Sequence, residues 1–303
     1  MVDGGKDNRE MYKKTRLRVV FEIFNVLFML FMMFIMIYPL IYIVNASFSD
    51  SNALMRNGSA PLWLPVEPTL SAYKMTLDNK LILSGYFNTI FIVSVGTIIS
   101  IVMSCMLAYG LAERKLMLRG FVMKLIMVTM FFGGGMIPNY ILVRNLHLID
   151  SIWALIIPCA INTYNMIILR TGFEAVPVSL KESALIDGAG HMRIMFQIMI
   201  PLAKASIAVI CLYYAVAYWN AWFEASIYLQ RDSAKWPLQL VLRQILMMND
   251  MSNSAGVSMD QQNNVEESIK YVVIVIATFP VLCIYPFIQK YFTKGVMVGA
   301  VKG

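Results

Sequence analysis

The sequence predicts an all-α polytopic membrane protein with six transmembrane helices, and three observations predict it. Of the 303 residues, 59% are hydrophobic and 14% charged, against a charged share of about a quarter in soluble domains. The mean hydropathy is +0.65, and the apolar residues gather into six runs near the ~20 residues that cross a bilayer core. The polar segments between the runs alternate in basicity, as they do in a chain that weaves through a membrane.

The runs follow in order. A polar, basic arm covers residues 1–19 and precedes a first run at about 20–44. That run exceeds the core of about 7–15 residues in a signal peptide, so it reads as an uncleaved span. Residues 45–85, rich in Ser, Asn and Pro, form an outer loop. Further runs lie at about 86–112, 121–143, 152–169 and 203–229. A second outer loop spans 230–268, and within it WPLQLVLRQILMM reads as an amphipathic helix at the membrane surface. The sixth run is at about 269–288, so a transmembrane domain of 20–292 precedes a short tail at 293–303.

Basic residues give the orientation. With the N-terminus inside, 17 of the 25 Lys and Arg fall on inner segments and eight on outer ones. Both termini are therefore expected in the cytoplasm, and the net charge of +7 reads as a topology signal, not as a nucleic-acid footprint. The outer segments hold nine acids, so that face is near neutral and does not attract strongly charged solutes.

Several function classes lack their residues. No GxxxxGK[ST] occurs, so the chain has no phosphate-binding loop of its own. The two histidines, His147 and His191, lie on opposite sides, and the four cysteines stand singly in apolar runs. A metal centre or a histidine-activated nucleophile has no ligand set here. No span carries a pair of carboxylates for acid–base work. The chain reads as a non-enzyme. No internal repeat is visible, which weakens the case for a secondary carrier built on duplicated bundles. The glycine cluster FFGGGMIP in the third run reads as close packing or local unwinding.

Residues 177–201 carry Lys181, Glu182, Asp187, His191 and Arg193 between two apolar runs. Each charge would cost roughly 2.5–3.5 kcal/mol at the bilayer centre, so the segment belongs outside the hydrocarbon. Pro177 and Ser179 suggest a helix start, with Leu180, Ala184 and Asp187 on one face. Gly188 and Gly190 read as stops, a second helix begins near His191, and Pro201 marks the junction with the next span.

The stretch ESALIDGAGHMRIMFQIMIPL resembles the EAA motif of importer-type ABC permeases. Glu182, Ala184, Asp187, Gly188, Ala189, Phe196, Ile198, Pro201 and Leu202 match it, while Ser183 replaces a common alanine and Ala205 a frequent second proline. The resemblance implies a coupling helix, with Glu182, Ser183, Ala184, Asp187 and Gly188 at the contact with a cytoplasmic ATPase. A generic charged loop is the blander reading.

A second stretch, YYAVAYWNAWFEASIY at 213–228, sets aromatic rings beside Asn and Glu acceptors inside a span. Sugars present apolar C–H faces and rings of hydroxyls, which such a surface suits. Trp219, Asn220, Trp222 and Glu224 are therefore candidates for a solute path. An interfacial aromatic belt is the alternative.

Taken whole, the chain resembles MalG-like carbohydrate ABC permeases of the oligosaccharide or polysaccharide (LplC/YtcP-like) branch. YNMIILRTGFEAVP, YWNAWFEASIYL, the GG-x-IP-x-Y phrase and the VGAVKG terminus all fit. That resemblance implies the MetI-like importer permease fold in a bacterial cell membrane. The implied partners are a second, MalF-like permease, two cytoplasmic ATPase subunits that bind ATP and Mg, an extracellular solute-binding protein, an oligosaccharide and lipid. It also implies that Gly299, Val301 and Lys302 in the tail reach the ATPase interface, where the blander reading is a frayed terminus. Rival readings are an ABC permease for another solute, an ion-coupled carrier and a membrane-embedded enzyme.

Overall fold

The computed structural model describes residues 16–58, 60–113, 116–254 and 268–283. Among them the fold is built from helices, with no extended structure beyond one isolated bridge between Ser49 and Pro68. Helix α1 (Arg16–Ser47) is apolar all round and exposed over its spanning length, burying only Ala46 and Ser47 at its end. A helix apolar on every side needs an apolar surrounding, which lipid or a partner chain supplies. Short helices α2 (Ser51–Asn57) and α3 (Ser71–Asp78) fold the expected 45–85 loop. Asp50 caps α2 by accepting from the N–H groups of Asn52 (2.9 Å) and Ala53 (3.2 Å).

Helix α4 (Lys80–Ala112) is the central column. Asn79 caps it, so it starts six residues before the apolar run at Tyr86. Its buried positions Gly85, Thr89, Ile92, Gly96, Ser100, Ser104, Ala108 and Leu111 recur every three or four residues, giving one inward stripe. Most are small, and small residues let helix backbones approach closely inside a membrane. A Cβ at Gly96 would sit 2.8 Å from the Tyr218 ring, so glycine is what allows that ring to lie against α4.

The remaining runs are interrupted. The third is two helices, α5 (Arg119–Phe131) and α6 (Met136–Asn145), bent by 112°. The break falls on the glycine cluster, where Gly135 has φ +86° and ψ 171°, a conformation nearly confined to glycine. The fourth run begins as the single turn α7 (Trp153–Ile156), breaks around Pro158, and resumes as α8 (Thr163–Glu174), capped by Asn162. Then follow α9 (Val178–Ile186) and α10 (His191–Leu202), which meets α11 (Lys204–Trp219) at 86°. Within α10, residues Met195–Met199 form a π turn in which the Ile200 N–H reaches back to the Met195 carbonyl. Pro201 has no N–H to offer, and the wider turn accommodates that gap. The fifth run ends in α12 (Trp222–Tyr228).

Helix α13 (Leu238–Ser254) forms inside the expected 230–268 loop and packs its apolar face on the bundle. Leu238, Val241 and Leu242 are buried against Ile82 of α4, and a Cβ at Gly85 would lie 3.2 Å from the Leu238 Cα. The Leu238 N–H donates to Thr89 Oγ1 at 2.8 Å, and Asn88 Nδ2 donates to the carbonyls of Ala234 and Trp236. An amphipathic pattern specifies a buried face but not its partner, and here the partner is α4. Finally α14 (Ser268–Cys283) is tied to the α1–α2 junction, Ser268 Oγ donating to the Ser49 carbonyl at 2.9 Å.

Candidate functional site

Helix α9 starts directly after Pro177, with no side-chain cap, and Ser179 lies inside its first turn. Its far end closes on Gly188, at φ +79°. The Ala189 N–H donates to the Ala184 carbonyl at 2.9 Å and the Gly188 N–H to the Leu185 carbonyl at 3.1 Å, the Schellman arrangement. A Cβ at 188 would meet nothing within 4 Å, so the backbone conformation alone calls for glycine. Gly190 instead has φ −70° and ψ 159°, ordinary extended backbone leading into α10, so the second glycine is not a helix stop.

Of the expected Leu180–Ala184–Asp187 face, only Ala184 is buried, in a cluster with Phe173, Ile194 and Met199. Glu182, Ser183 and Asp187 are exposed, and Ile186 is 86% exposed. The helix thus uses one small residue to rest on the bundle and turns charged and apolar groups outward.

Charges fix where it rests. Lys181 pairs with Glu113, the residue that ends α4, and lies 5.1 Å from the centre of the Tyr109 ring. The Tyr109 hydroxyl is 3.1 Å from His191 Nδ1. Beside it the Leu111 carbonyl, at the open end of α4, accepts from Arg119 Nε (3.0 Å) and Arg170 Nε (3.1 Å). Both arginines also hold Glu174, Arg170 at 2.7 Å. Cations at a helix C-terminus meet its free carbonyls and its negative dipole end. A cleft of about 520 Å³ opens between this network and α9, lined by Tyr109, Glu113, Lys181, Glu182 and His191 among others.

A larger cavity, about 750 Å³, lies where the fourth run breaks, against α11 and α12. Tyr214 and Tyr218 hold its wall in place. Their hydroxyls lie 2.8 Å from Ser104 Oγ and 2.9 Å from Ser100 Oγ, and Tyr214 also accepts from the Asn162 N–H at 2.9 Å. Cys159, Asn162, Tyr164, Tyr213 and Glu224 line the open space. The Tyr164 and Tyr213 rings stand 6.4 Å apart at 31°.

Of the four path candidates, Glu224 alone is among the residues lining this cavity. Trp219 packs instead against the Ile82–Leu238 cluster. Asn220 turns its Nδ2 back to the Val216 carbonyl at 2.9 Å. Trp222 lies beneath the Arg243 guanidinium, 3.8 Å from ring centre to Cζ, beside a separate hollow of about 270 Å³. The cause is local. Ala221 has φ −76° and ψ 51°, and the Trp222 N–H donates to the Asn220 carbonyl at 2.8 Å, an inverse γ-turn. One unbroken helix would have stacked Asn220 under Glu224; the turn separates them. Asn162, Tyr164 and Cys159 were not singled out by sequence. Pro158 and Asn162, a breaker and a cap inside an apolar run, were the available signal. The tail residues Gly299, Val301 and Lys302 lie outside the described residues.

Residues 101–298 match the family described as binding-protein-dependent transport system inner membrane component. The chain belongs to this family. The permease is 41% identical over 289 residues to Protein LplC of Bacillus subtilis (strain 168), covering 95% of this chain and 97% of that one. It is 43% identical over 272 residues to the polygalacturonan/rhamnogalacturonan transport system permease protein YtcP of the same strain, covering 88% and 93%. Its fold matches a solved bacterial ABC transporter involved in the import of the acidic polysaccharide alginate. The TM-score is 0.84 at 33% identity, over 92% of this chain and 98% of that one. The resemblance read from the EAA stretch is thereby borne out, with the all-α importer-permease fold. The chain is a membrane-embedded transport subunit and not an enzyme.

Proposed function

We propose that this permease is half of the translocation path of an ATP-driven importer for oligosaccharides or polysaccharide fragments, and that α9 is its coupling helix. The observation that carries the reading is the two-sided construction of α9. Ala184 and Lys181 seat it on the bundle, while Glu182, Ser183, Ile186 and Asp187 face outward between two apolar segments. An exposed Ile186 flanked by acids fits a protein contact with an apolar centre and a polar rim. The partners in this reading are a MalF-like permease, two cytoplasmic ATPases that bind ATP and Mg, and an extracellular binding protein. The basic-residue count supports cytoplasmic termini, with Gly299, Val301 and Lys302 reaching the ATPases. The names of its relatives favour carbohydrate over other solutes.

The test is reconstitution of the whole complex in proteoliposomes with its binding protein. Oligosaccharide import should require ATP inside and stop when the ATPases are omitted. Import that survives their omission and collapses with an ionophore would establish an ion-coupled carrier instead. The ligand that protects the binding protein against thermal unfolding names the cargo.

A further inference from the structure

The 750 Å³ cavity carries one charge. Among the described residues that line it, Glu224 is the sole carboxylate and there is no Lys, Arg or His. Glu224 is half-buried, and no hydrogen bond or ion pair to its side chain is formed among the described residues. The nearby cation on the other side of the Ala221 turn, Arg243, is stacked on Trp222 and borders a different hollow. A carboxylate is kept inside a membrane bundle where water reaches it or a partner meets it. Here the groups that share its space are neutral: the Tyr213 and Tyr164 rings and the Asn162 amide.

We propose that Glu224 sets the charge selectivity of this path, so that neutral oligosaccharides pass it and uronate-bearing ones are disfavoured; this rests on the importer reading above. The chemistry follows from the lining. A carboxylate accepts hydrogen bonds from two adjacent sugar hydroxyls at once, while tyrosine rings cover the C–H face. A uronate brings a second negative charge into a space of reduced dielectric with no cation in the described wall, and like charges there repel strongly. Two relatives are named for acidic polysaccharides. The lone carboxylate in this lining argues for a neutral cargo in this permease.

Cys159 reports on the same space. It is exposed and lines the same cavity as Glu224. The experiment uses the complete transporter with every other cysteine replaced by Ser. Cys159 is labelled with two methanethiosulfonates of similar size, one carrying trimethylammonium and one sulfonate. The ratio of their rates reads the local potential and needs no transport. The cationic reagent should be favoured, and Glu224→Gln should shift the ratio at least about threefold toward the anionic one, the scale of one charge seen across a partly aqueous cavity. Glu224→Asp should keep the wild-type ratio. In parallel, uptake of an oligogalacturonide is compared with its fully methyl-esterified, neutral form. The ester should enter faster, and Glu224→Gln should narrow the difference. A labelling ratio that Glu224→Gln leaves unchanged overturns the proposal, as does wild-type uptake of the acid at or above the rate of the ester. Uptake that needs no ATP would strike the importer reading alone, because the labelling ratio would stand.

Discussion

The Tyr214 hydroxyl lies 2.8 Å from Ser104 Oγ, and through it the broken fourth run is fastened to the central helix. The same hydroxyl accepts from the Asn162 N–H, which the break would otherwise leave without a partner. One phenol thus satisfies a backbone donor, anchors α11 to α4, and holds the cavity wall.

Tyr214→Phe should therefore destabilise the protein. It leaves the Asn162 N–H and Ser104 without that partner, a cost of ~1–3 kcal/mol, or a few degrees in unfolding temperature. Thermal unfolding of the solubilised complex measures it. Tyr213→Phe, one residue away and also lining the cavity, should alter uptake.

At Gly188 the backbone sits at φ +79° with open space around the missing Cβ. Gly188→Asn should preserve transport, since Asn tolerates this conformation, whereas Gly188→Val should cost on the order of 1–3 kcal/mol locally and uncouple ATP hydrolysis from import. The ratio of ATP hydrolysed to solute imported separates the two variants. Equal ratios would show that the turn is not needed for coupling.

Gly96→Val should fail to assemble. Even a single Cβ there would stand 2.8 Å from the Tyr218 ring, so α11 must move away from α4. Co-purification of the partner subunits is the measurement, and Gly110→Val on the same helix is the control, since its Cβ meets nothing within 4 Å.

Glu174→Gln removes the carboxylate shared by Arg119 and Arg170 and leaves two guanidinium groups side by side. The pair is partly exposed, so the loss lies between surface and buried limits, on the order of 1–3 kcal/mol. Coupled ATPase activity should fall while membrane insertion is normal, as read by hydrolysis rates and by yield in the membrane fraction.

What could be read from sequence was what local signals carry. The α9 helix, its Gly188 terminus and the new helix at His191 are set by residues within one turn of each other, and they were legible. So were the apolar runs, because composition alone places them. Their interruptions were not. A run such as 203–229 scores as apolar whether or not Ala221 makes a γ-turn, and that turn removed Asn220 from the face of Glu224. The docking of α13 on α4 depended on Gly85 and Thr89, some 150 residues distant, which a helical periodicity cannot express.

The central claim, that α9 is the surface offered to the ATPases, is tested most directly by site-specific cross-linking in the assembled complex. A photoreactive group is attached through Ile186→Cys, 86% exposed on α9, and separately through Leu64→Cys, 76% exposed between α2 and α3. The account predicts an adduct between the first site and an ATPase subunit, and none from the second. An unlabelled ATPase with Ile186→Cys, or equal labelling from both sites, would contradict it.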